Sequence, residues 1–382
     1  MYKVAITPQW EITNEADPSL DIAVLLQLLL AIQRSGSISK AAIAAGLSYR
    51  HAWGLLRTAE MYFGDALMDK GRGRGTSLTL LAEKLIWAER RVSARLSPIL
   101  ESLSSELERE LNLLAPGKSS TIRLHASHGF AVAALLDGIN GVGLPVDLSY
   151  RNSTDAVAAL LQGECDLAGF HVPLGEFEPP AVALYAQWLD SDTHCLIHLA
   201  VREQGLIVAA GNPQRIVGLQ DLTKGGVRFV NRQVGSGTRM LFDLMLAGAA
   251  LTPGAISGYE NAEFTHAAVA AYIASGMADV GLGLQAAAQR FGLDFIALAR
   301  ERYFLALPVA ALEDPLIRQV IAMLQSASFR ATVDALAGYD ATDTGKIVSL
   351  ADVFGTIKPK SKPKPKPKPK LKPKLSQRPI RG

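Results

Sequence analysis

The chain has 382 residues, of which 49% are hydrophobic and 7% are aromatic, so it is long enough for two or three domains with a sizeable core. Its two cysteines, Cys165 and Cys195, lack the spacing of a metal motif and give no disulfide framework, which indicates a reducing compartment. The net charge of +3 is uneven, because residues 358–382 hold nine lysines and two arginines without an acidic residue, and the rest of the chain is therefore acidic.

The N-terminal region, residues 1–17, predicts a short lead-in with a strand at residues 2–6. It lacks the basic start and the long apolar core of a signal peptide. The apolar run over residues 20–32 is too short for a membrane span and contains Asp21 and Gln27. We therefore expect a cytoplasmic protein with no membrane partner.

Three short helices are predicted next, over residues 20–34, 37–45 and 49–62. Glycines end the first helix and form the turn between the second and the third, and Ser37 and Ser48 stand where a helix cap is expected. Two helices joined by a tight turn are typical of a helix-turn-helix unit; an αα-hairpin inside a core is the alternative.

A Gly/Arg segment, residues 71–75, lies between two predicted strands at residues 66–70 and 76–80. Its glycines let the backbone approach a phosphate or a groove, and Arg72 and Arg74 supply positive charge. A solvated basic loop is the alternative for this segment taken alone. After the three helices, the pattern predicts the wing of a DNA-binding domain.

Residues 20–80 resemble the winged helix-turn-helix of molybdate-dependent and LysR-type regulators, and we predict this domain over residues 18–80. The matching stretches are 35–42, 45–50, 52–53, 63–64 and the wing with residues 77–79. The resemblance implies that the helix from Gly46 to Glu60 enters the major groove of double-stranded DNA. The DNA-binding side chains expected on this basis are Ser37, Ser48, Tyr49, Arg50, His51, Arg57, Arg72 and Arg74.

A long amphipathic helix is predicted over residues 79–114, and the linker between the two domains is assigned to residues 81–117. Apolar residues recur at spacings of three, four and seven and form one stripe, with Pro98 where a kink is expected. In LysR-type proteins, which this part resembles, the helix mediates dimerisation, and DNA sites with two-fold symmetry require a dimer. We expect a homodimer or a higher homo-oligomer such as a dimer of dimers. The alternative is a helix that packs on its own chain.

Strands and helices alternate over residues 118–352, which predicts an α/β domain with a largely parallel sheet. Residues 196–202 and 205–210 are predicted to pair as strands through a turn at Glu203 and Gln204. Hydroxyl-bearing residues recur where strands give way to helices, at Ser127, at Ser153 and Thr154, and at Ser236 and Thr238. Ligands of open α/β sheets bind at these ends of the strands, so the three helix starts predict an oxyanion site.

The turn at residues 235–238, Gly-Ser-Gly-Thr, is the central one of these helix starts. Its free backbone N–H groups, its two hydroxyls and the positive end of the helix dipole form a cradle for an anion, and Arg232 and Arg239 flank it. It lacks the lysine of a P-loop and the three-glycine spacing of a dinucleotide fold. A capped turn of an ordinary α/β domain is the alternative.

Most of residues 120–345 resemble the periplasmic-binding-protein-like domain that is fused to the helix-turn-helix of molybdate-type regulators. The matching stretches are 205–213, 218–222, 228–232, 235–239, 258–260, 265–266, 278–283 and 301–303. The resemblance implies a type II fold with two α/β lobes that close on a ligand around a hinge. Lobe one is expected at residues 118–205 and 305–352, and lobe two at residues 206–304.

The same resemblance implies molybdate, tungstate or a related small compound as ligand. The first loop, residues 126–129, reads Ala-Ser-His-Gly where that family often has Gly-Ser-His-Asp. The ligand-binding residues expected from the helix starts and the resemblance are Ser127, His128, Ser153, Thr154, His171, Arg232, Gly235, Ser236, Gly237, Thr238, Arg239, Tyr259, His266 and Tyr303.

His194 and His198 have the spacing of a helical zinc site, but their surroundings are typical of a strand and no acidic partner completes the set. No arrangement of nucleophile, base and acid stands out. We expect neither a metal, a cofactor nor catalysis. Residues 353–382, in which lysine and proline alternate, are expected to form a disordered basic tail that either binds phosphates or keeps the protein soluble.

These features predict a dimeric transcriptional regulator that binds an operator and senses a small anion. A molybdate- or tungstate-like oxyanion is favoured, with molybdoenzyme genes such as a formate dehydrogenase operon as targets. The alternatives are a regulator that senses formate or a molybdopterin-like compound, a solute-binding component of a transporter, and an enzyme of molybdenum-cofactor metabolism built on the same two-lobed domain.

Overall fold

The structure is a computed structural model that describes residues 2, 4–13, 20–69, 76–113 and 121–355. The disordered tail was predicted over residues 353–382; Val353 and Phe354 instead belong to the last described helix, and the part from residue 356 onward lies outside the described residues. Within the described ranges, no helix is both long enough and apolar enough to cross a membrane.

The first domain begins with three helices, α1 (Ile22–Ser35), α2 (Ile38–Ala44) and α3 (Tyr49–Phe63). The hydroxyl of Ser37 accepts a hydrogen bond from the N–H of Lys40, and that of Ser48 accepts one from the N–H of His51, so both serines cap the helices they precede. Leucines of α1 pack on Ala52, Leu56 and other inward residues of α2 and α3. The three predicted helices are confirmed, with ends that shift by one or two residues.

Two short antiparallel strands, β1 (Met68–Asp69) and β2 (Ser77–Leu78), follow α3. They are shorter than predicted, because only two residue pairs lie in register. The wing tip with Arg72 and Arg74 lies outside the described residues.

The linker is a single helix, α4 (Leu80–Leu113), as predicted within one residue at each end. Its first turns belong to the core of the first domain, where Ala82, Leu85 and Ile86 are buried. The N-terminal segment also packs on this core. Its Trp10 donates a hydrogen bond to Glu89 of α4 at 2.6 Å, and it carries no described strand at residues 4–6, where one was expected.

Lobe one of the α/β domain contains three parallel strands and their helices. The strands are β3 (Ile122–Ala126), β4 (Val146–Tyr150) and β5 (Leu167–Pro173), and the helices are α5 (Phe130–Gly141), α6 (Ser153–Leu161) and α7 (Glu178–Tyr185).

Two long strands, β6 (His194–Val208) and β10 (Asp294–Pro308), run antiparallel to each other from lobe one into lobe two. The predicted turn at Glu203 and Gln204 is wrong, because both residues continue β6. Their polar side chains suggested a turn, but Gln204 is fully buried in a polar network. The hinge between the lobes is therefore a pair of continuous strands.

Lobe two contains β7 (Phe229–Arg232), β8 (Ala262–Glu263) and β9 (Val280–Leu284), with α8 (Gly237–Gly248), α9 (His266–Ala274) and α10 (Gln285–Arg290). The chain then returns to lobe one with α11 (Pro315–Gln325), α12 (Ala327–Asp334), β11 (Tyr339–Asp340), β12 (Ile347–Ser349) and α13 (Leu350–Phe354).

The strands lie in the order β4-β3-β5-β10-β6-β9-β7-β8, and β11 and β12 also pair with β6. Pairs within each lobe's outer strands are parallel, but every pair that involves β6 or β10 is antiparallel. The sheet is thus mixed rather than largely parallel, because the two hinge strands run side by side through its middle.

Candidate functional site

A cavity of about 380 Å³ lies between the two lobes, at the ends of the parallel strands where their helices begin. This volume is in the range of small-molecule sites, roughly 300–1,000 Å³. Among its described lining residues are three arginines and three histidines but no acidic residue: Arg151, Arg202, Arg232, His128, His171 and His266. Such a lining suits a negatively charged ligand.

Arg232, the last residue of β7, carries a buried positive charge, and no acidic side chain among the described residues forms an ion pair with it. Its Nη2 donates to the carbonyl of Phe264 at 2.8 Å, while Nε and Nη1 have no hydrogen-bond partner in the described structure. Burial and, to a lesser extent, the charge of Arg202 lower the pKa of Arg232 to about 9, against the opposing effect of Glu301. Arg232 therefore stays charged near neutral pH, and two of its nitrogens can bind an anion.

Arg202 lies in β6 and is neutralised within the protein. Its Nε donates to Glu301 of β10 at 2.5 Å, and both side chains are buried. The amide of Gln204 donates both to Glu301 and to the hydroxyl of Thr238, at 2.9 and 3.0 Å. This network connects the hinge strands with the first turn of α8. Of the two buried arginines in the lining, Arg232 is thus the one without an acidic partner among the described residues.

Three helix starts meet at the cavity, as expected from the recurring hydroxyls. Ser127 follows β3, Ser153 opens α6, and Ser236 and Thr238 lie at the start of α8. The hydroxyl of Ser236 caps α8 by accepting a hydrogen bond from the N–H of Arg239 at 3.2 Å. The positive dipole ends of these helices add to the attraction for an anion.

His171 and His266 line the cavity as neutral imidazoles. Burial lowers the pKa of both well below the usual range, and the charges of Arg202 and Arg232 lower it further. Ser153 lies 3.2 Å from Nδ1 of His171, whereas Nε2 of His171 and Nδ1 of His266 have no partner in the described structure. These nitrogens offer hydrogen bonds to a ligand without adding charge.

Five of the expected ligand-binding residues do not line the cavity: Thr154, Gly235, Arg239, Tyr259 and Tyr303. Thr154 donates to Asn152 at 2.7 Å. Arg239 forms an ion pair with Asp243 at 3.0 Å and covers the ring of Tyr259, so the guanidinium is occupied beside α8. Tyr303 is buried under the cavity, with its ring centroid 4.2 Å from that of His171.

Other lining residues were not anticipated from the sequence. They are Tyr150, Arg151, Asn152, Arg202, Gln233 and Phe264 of the α/β domain, and Ile99, Ser102 and Leu103 of α4. A charged residue inside the apolar run of β6 was a signal for Arg202. No local pattern shows that the linker helix lies against the cavity.

The expected DNA-facing side chains of α3 point away from the core. Ser48, Tyr49, Arg50, His51 and Arg57 are exposed, whereas Ala52, Leu56 and Ala59 are buried. Ser37 and Ser48 each use their hydroxyl as a helix cap. The exposed face thus presents two arginines, a tyrosine and a histidine.

Among the described residues, no three or more histidine, cysteine, aspartate or glutamate side chains are grouped so that they could hold a metal ion. His194 and His198 both lie in β6, where residues four apart are separated by about 13 Å. The zinc-helix spacing is therefore not realised.

Comparisons with known protein families identify two parts of the chain. Residues 24–83 match the model of the bacterial regulatory helix-turn-helix protein of the lysR family, and residues 139–325 match that of the PBP superfamily domain. The structure of an OxyR mutant of Corynebacterium glutamicum with bound H2O2 is similar in fold. The alignment covers 84% of this chain and 95% of the OxyR chain, at 15% sequence identity and a TM-score of 0.42.

Three relatives are similar in sequence. YvgK of Bacillus subtilis, an uncharacterized protein, is 34% identical over 52% of this chain and 64% of its own. An uncharacterized Clostridium pasteurianum protein from the 5′ region of a 2Fe-2S ferredoxin gene is 33% identical over 29% of this chain and 98% of its own. The HTH-type transcriptional regulator AbaB of Streptomyces antibioticus is 28% identical over 47% of this chain and 56% of its own. The match therefore spans less than two thirds of YvgK and of AbaB.

Proposed function

We propose that this chain, which belongs to the same family as the Clostridium pasteurianum protein, is a cytoplasmic DNA-binding transcriptional regulator controlled by a small anion. It joins a lysR-family helix-turn-helix domain to a PBP superfamily domain. The regulator domain supports a role in transcription rather than in catalysis. The observation that carries the effector proposal is the buried charge of Arg232, which has two nitrogens free to bind a ligand.

A tetrahedral oxyanion such as molybdate or tungstate is the proposed effector. Arginine, serine and threonine side chains and helix starts are donors, and no carboxylate is among the described lining residues. A fully deprotonated anion can accept hydrogen bonds from these donors with all of its oxygens. A small carboxylate such as formate satisfies the same condition. With an oxyanion effector, the proposed targets are molybdoenzyme genes, for example a formate dehydrogenase operon.

A homodimer is the proposed DNA-binding form. Ile99, Leu103, Leu107 and Leu111 recur every four residues on α4, and each is more than 40% exposed. Covering this stripe with the same stripe of a second copy would bury apolar area and pair two helix-turn-helix domains for a two-fold operator.

Titration of the full chain with molybdate, tungstate, sulfate, phosphate and formate tests the effector. We expect one class of anion to raise the melting temperature, because a ligand at about 100 times its Kd stabilises the folded state by about 2.7 kcal/mol. Arg232→Met should weaken this binding by at least about tenfold, since a hydrogen bond to a charged group contributes about 1.5–3 kcal/mol.

Arg239→Gln is the matched control, because Arg239 lies near the same helix start but is paired with Asp243 outside the cavity. It should bind the anion like the wild type. The effector proposal fails if no anion changes the melting temperature, or if Arg232→Met binds as tightly as the wild type. Turnover of a compound without any DNA binding would instead support the enzyme alternative.

A further inference from the structure

The linker helix α4 does more than connect the two domains, because it is fastened to both lobes on either side of the cavity mouth. Toward lobe two, Trp87 stacks on Phe291 with ring centroids 6.3 Å apart, and Arg91 covers the ring of Tyr272. Toward lobe one, α4 shares a groove with α5 and β4. One continuous helix thus spans the opening between two lobes that are hinged by β6 and β10.

An ion pair between Arg95 and Glu263 is the charged part of the contact with lobe two. Arg95 donates from Nε to both carboxylate oxygens of Glu263, at 2.8 and 2.9 Å, and Glu263 is buried. The hydroxyl of Thr265 also donates to the carbonyl of Ala94 at 3.2 Å. Glu263 lies opposite Arg232 in the β7–β8 ladder, so this contact adjoins the charged end of the cavity.

The contact with lobe one is centred on Glu101. Its carboxylate accepts a hydrogen bond from the hydroxyl of Tyr150 at 2.7 Å and lies 3.5 Å from Nε2 of His128. Tyr150 and His128 both line the cavity. Burial alone raises the pKa of Glu101, but the hydrogen bonds from His128 and Tyr150 outweigh it and hold the pKa below its usual value. The carboxylate is therefore charged when it holds these two side chains.

Between the two contacts, Ile99, Ser102 and Leu103 of α4 form part of the cavity wall. A ligand in the cavity therefore faces the linker helix directly. Any change in the angle between the lobes must stretch or break one of the two contacts, because both end on the same helix.

We propose that α4 is a clasp across the mouth of the cleft, closed by Arg95–Glu263 on lobe two and by Glu101–Tyr150 and Glu101–His128 on lobe one, so that the effector reaches the DNA-binding domain through this helix. Glu101 and Arg95 are positioning residues that act on the site through their partners. The regulatory part rests on the proposed function, whereas the mechanical part is a property of the chain alone. A ligand can shift the clasp only by binding one arrangement of the lobes better than the other.

The mechanical part is tested by the distance between spin labels on the two lobes of the full chain. Gln162→Cys on lobe one and Gln214→Cys on lobe two are exposed positions, and the native cysteines are buried. With the clasp intact we expect a narrow distance distribution. Glu101→Ala and, separately, Arg95→Ala should broaden it and shift it to longer distances. Glu106→Ala is the control, because Glu106 is exposed on the same helix and lies outside the cavity lining.

Unchanged distributions in both clasp variants would overturn the proposal. Arg95→Ala leaves Glu263 buried without its partner, so Glu101→Ala, which removes a half-exposed side chain, keeps the test valid if the first variant does not fold.

Adding sodium molybdate and sodium formate tests the coupling between the effector and DNA binding. The anion that stabilises the wild type should change its DNA affinity, and Glu101→Ala should reduce that change by about tenfold or more. If Glu101→Ala keeps the full anion-induced change in DNA affinity, the proposed coupling through α4 is wrong. If the wild type binds neither an anion nor DNA, the proposed function is wrong, and the distances between the spin labels still test whether α4 holds the two lobes together.

Discussion

At the scale of single residues, the two buried arginines of the cleft have different partners and therefore different roles. Arg202 is neutralised by Glu301 and positioned by the neighbouring polar network. Among the described residues, the guanidinium of Arg232 has only the carbonyl of Phe264 as a hydrogen-bond partner, and a buried charge without a counterion costs several kcal/mol. An anion that enters the cavity supplies the missing counterion. The buried charge of Arg232 therefore favours the binding of an anion.

The residues that were correctly predicted to lie together at the cavity share a local sequence signal. Ser127, Ser153 and Ser236 stand where a strand ends and a helix begins, and in an open α/β sheet such positions converge. Arg202 and Leu103 join the same cavity only because of which strand lies at the centre of the sheet and where α4 packs. These are long-range features, and spacing along the chain carries no signal for them.

A buried histidine outside the cavity gives a prediction about stability and pH. Burial lowers the pKa of His198 from 6.5 to about 4. The unfolded chain therefore binds a proton that the folded chain does not as pH falls below about 6.5, and folding stability decreases until about pH 4. His198→Leu removes this contribution and keeps the packing on Phe304. Between about pH 7 and about pH 5 the variant should lose less stability than the wild type, by on the order of 2 kcal/mol.

Urea unfolding of the full chain at several pH values measures this difference. His51→Leu is the control, because His51 is exposed on α3, and its stability should follow the wild type across the same range. Parallel pH profiles for His198→Leu and the wild type would show that His198 is not the titrating group.

At the scale of elements, the first domain follows the sequence closely because its signals are local. Glycine 36 and the capping serines set the ends of α1, α2 and α3, and the buried alanines permit close packing between helices. The hinge strands are different. Residues 203 and 204 have the composition of a turn, yet they continue β6 because neighbouring β10 pairs with both of them and Gln204 finds buried partners. Tertiary pairing here overrides local propensity.

The exposed face of α3 gives a prediction about DNA binding. A duplex selected from random sequences by the wild type serves as the operator. Arg50→Ala should weaken binding to it by about tenfold or more, since a bidentate base contact contributes about 1–3 kcal/mol. If Arg50 instead contacts a phosphate, the slope of log K against log salt should fall by about 0.9.

Lys84→Ala on the exposed face of α4 is the control for the loss of one positive charge, and its effect should be small at both salt concentrations. Gel-shift titrations at low and high salt separate the two outcomes. Operator affinity and salt slope that are both unchanged in Arg50→Ala would exclude α3 as the recognition helix.

At the scale of the whole molecule, the apolar stripe of α4 lies in three different environments along the helix. Leu85 and Ile86 complete the core of the first domain, and the middle of the helix packs on the α/β domain. The apolar side chains of Ile99, Leu103, Leu107 and Leu111 each remain more than 40% exposed. The sequence predicted one continuous dimerisation stripe with packing on its own chain as the alternative. The helix packs on its own chain from its first turns to Glu108, whose carboxylate accepts a hydrogen bond from the N–H of Val4. The N-terminal segment strengthens this arrangement, because Tyr62 of α3 donates to the carbonyl of Ile12 while Trp10 reaches Glu89 of α4.

The exposed end of the stripe gives the prediction that belongs to this scale. Leu107 is 43% exposed and lies between Leu103 and Leu111, so Leu107→Glu places a charge in the middle of the proposed interface. Two such carboxylates would face each other across a two-fold contact and would lose their water, a cost that several kcal/mol of apolar burial does not offset. Sedimentation of the wild type should show a dimer, and Leu107→Glu should shift it to a monomer with weaker binding to a two-fold operator.

Val217→Glu is the control, because Val217 is an apolar residue on lobe two that is 78% exposed, and this variant should leave the dimer intact. A Leu107→Glu protein that still sediments as the wild type does would move the subunit interface away from α4 and leave the clasp as the main role of this helix.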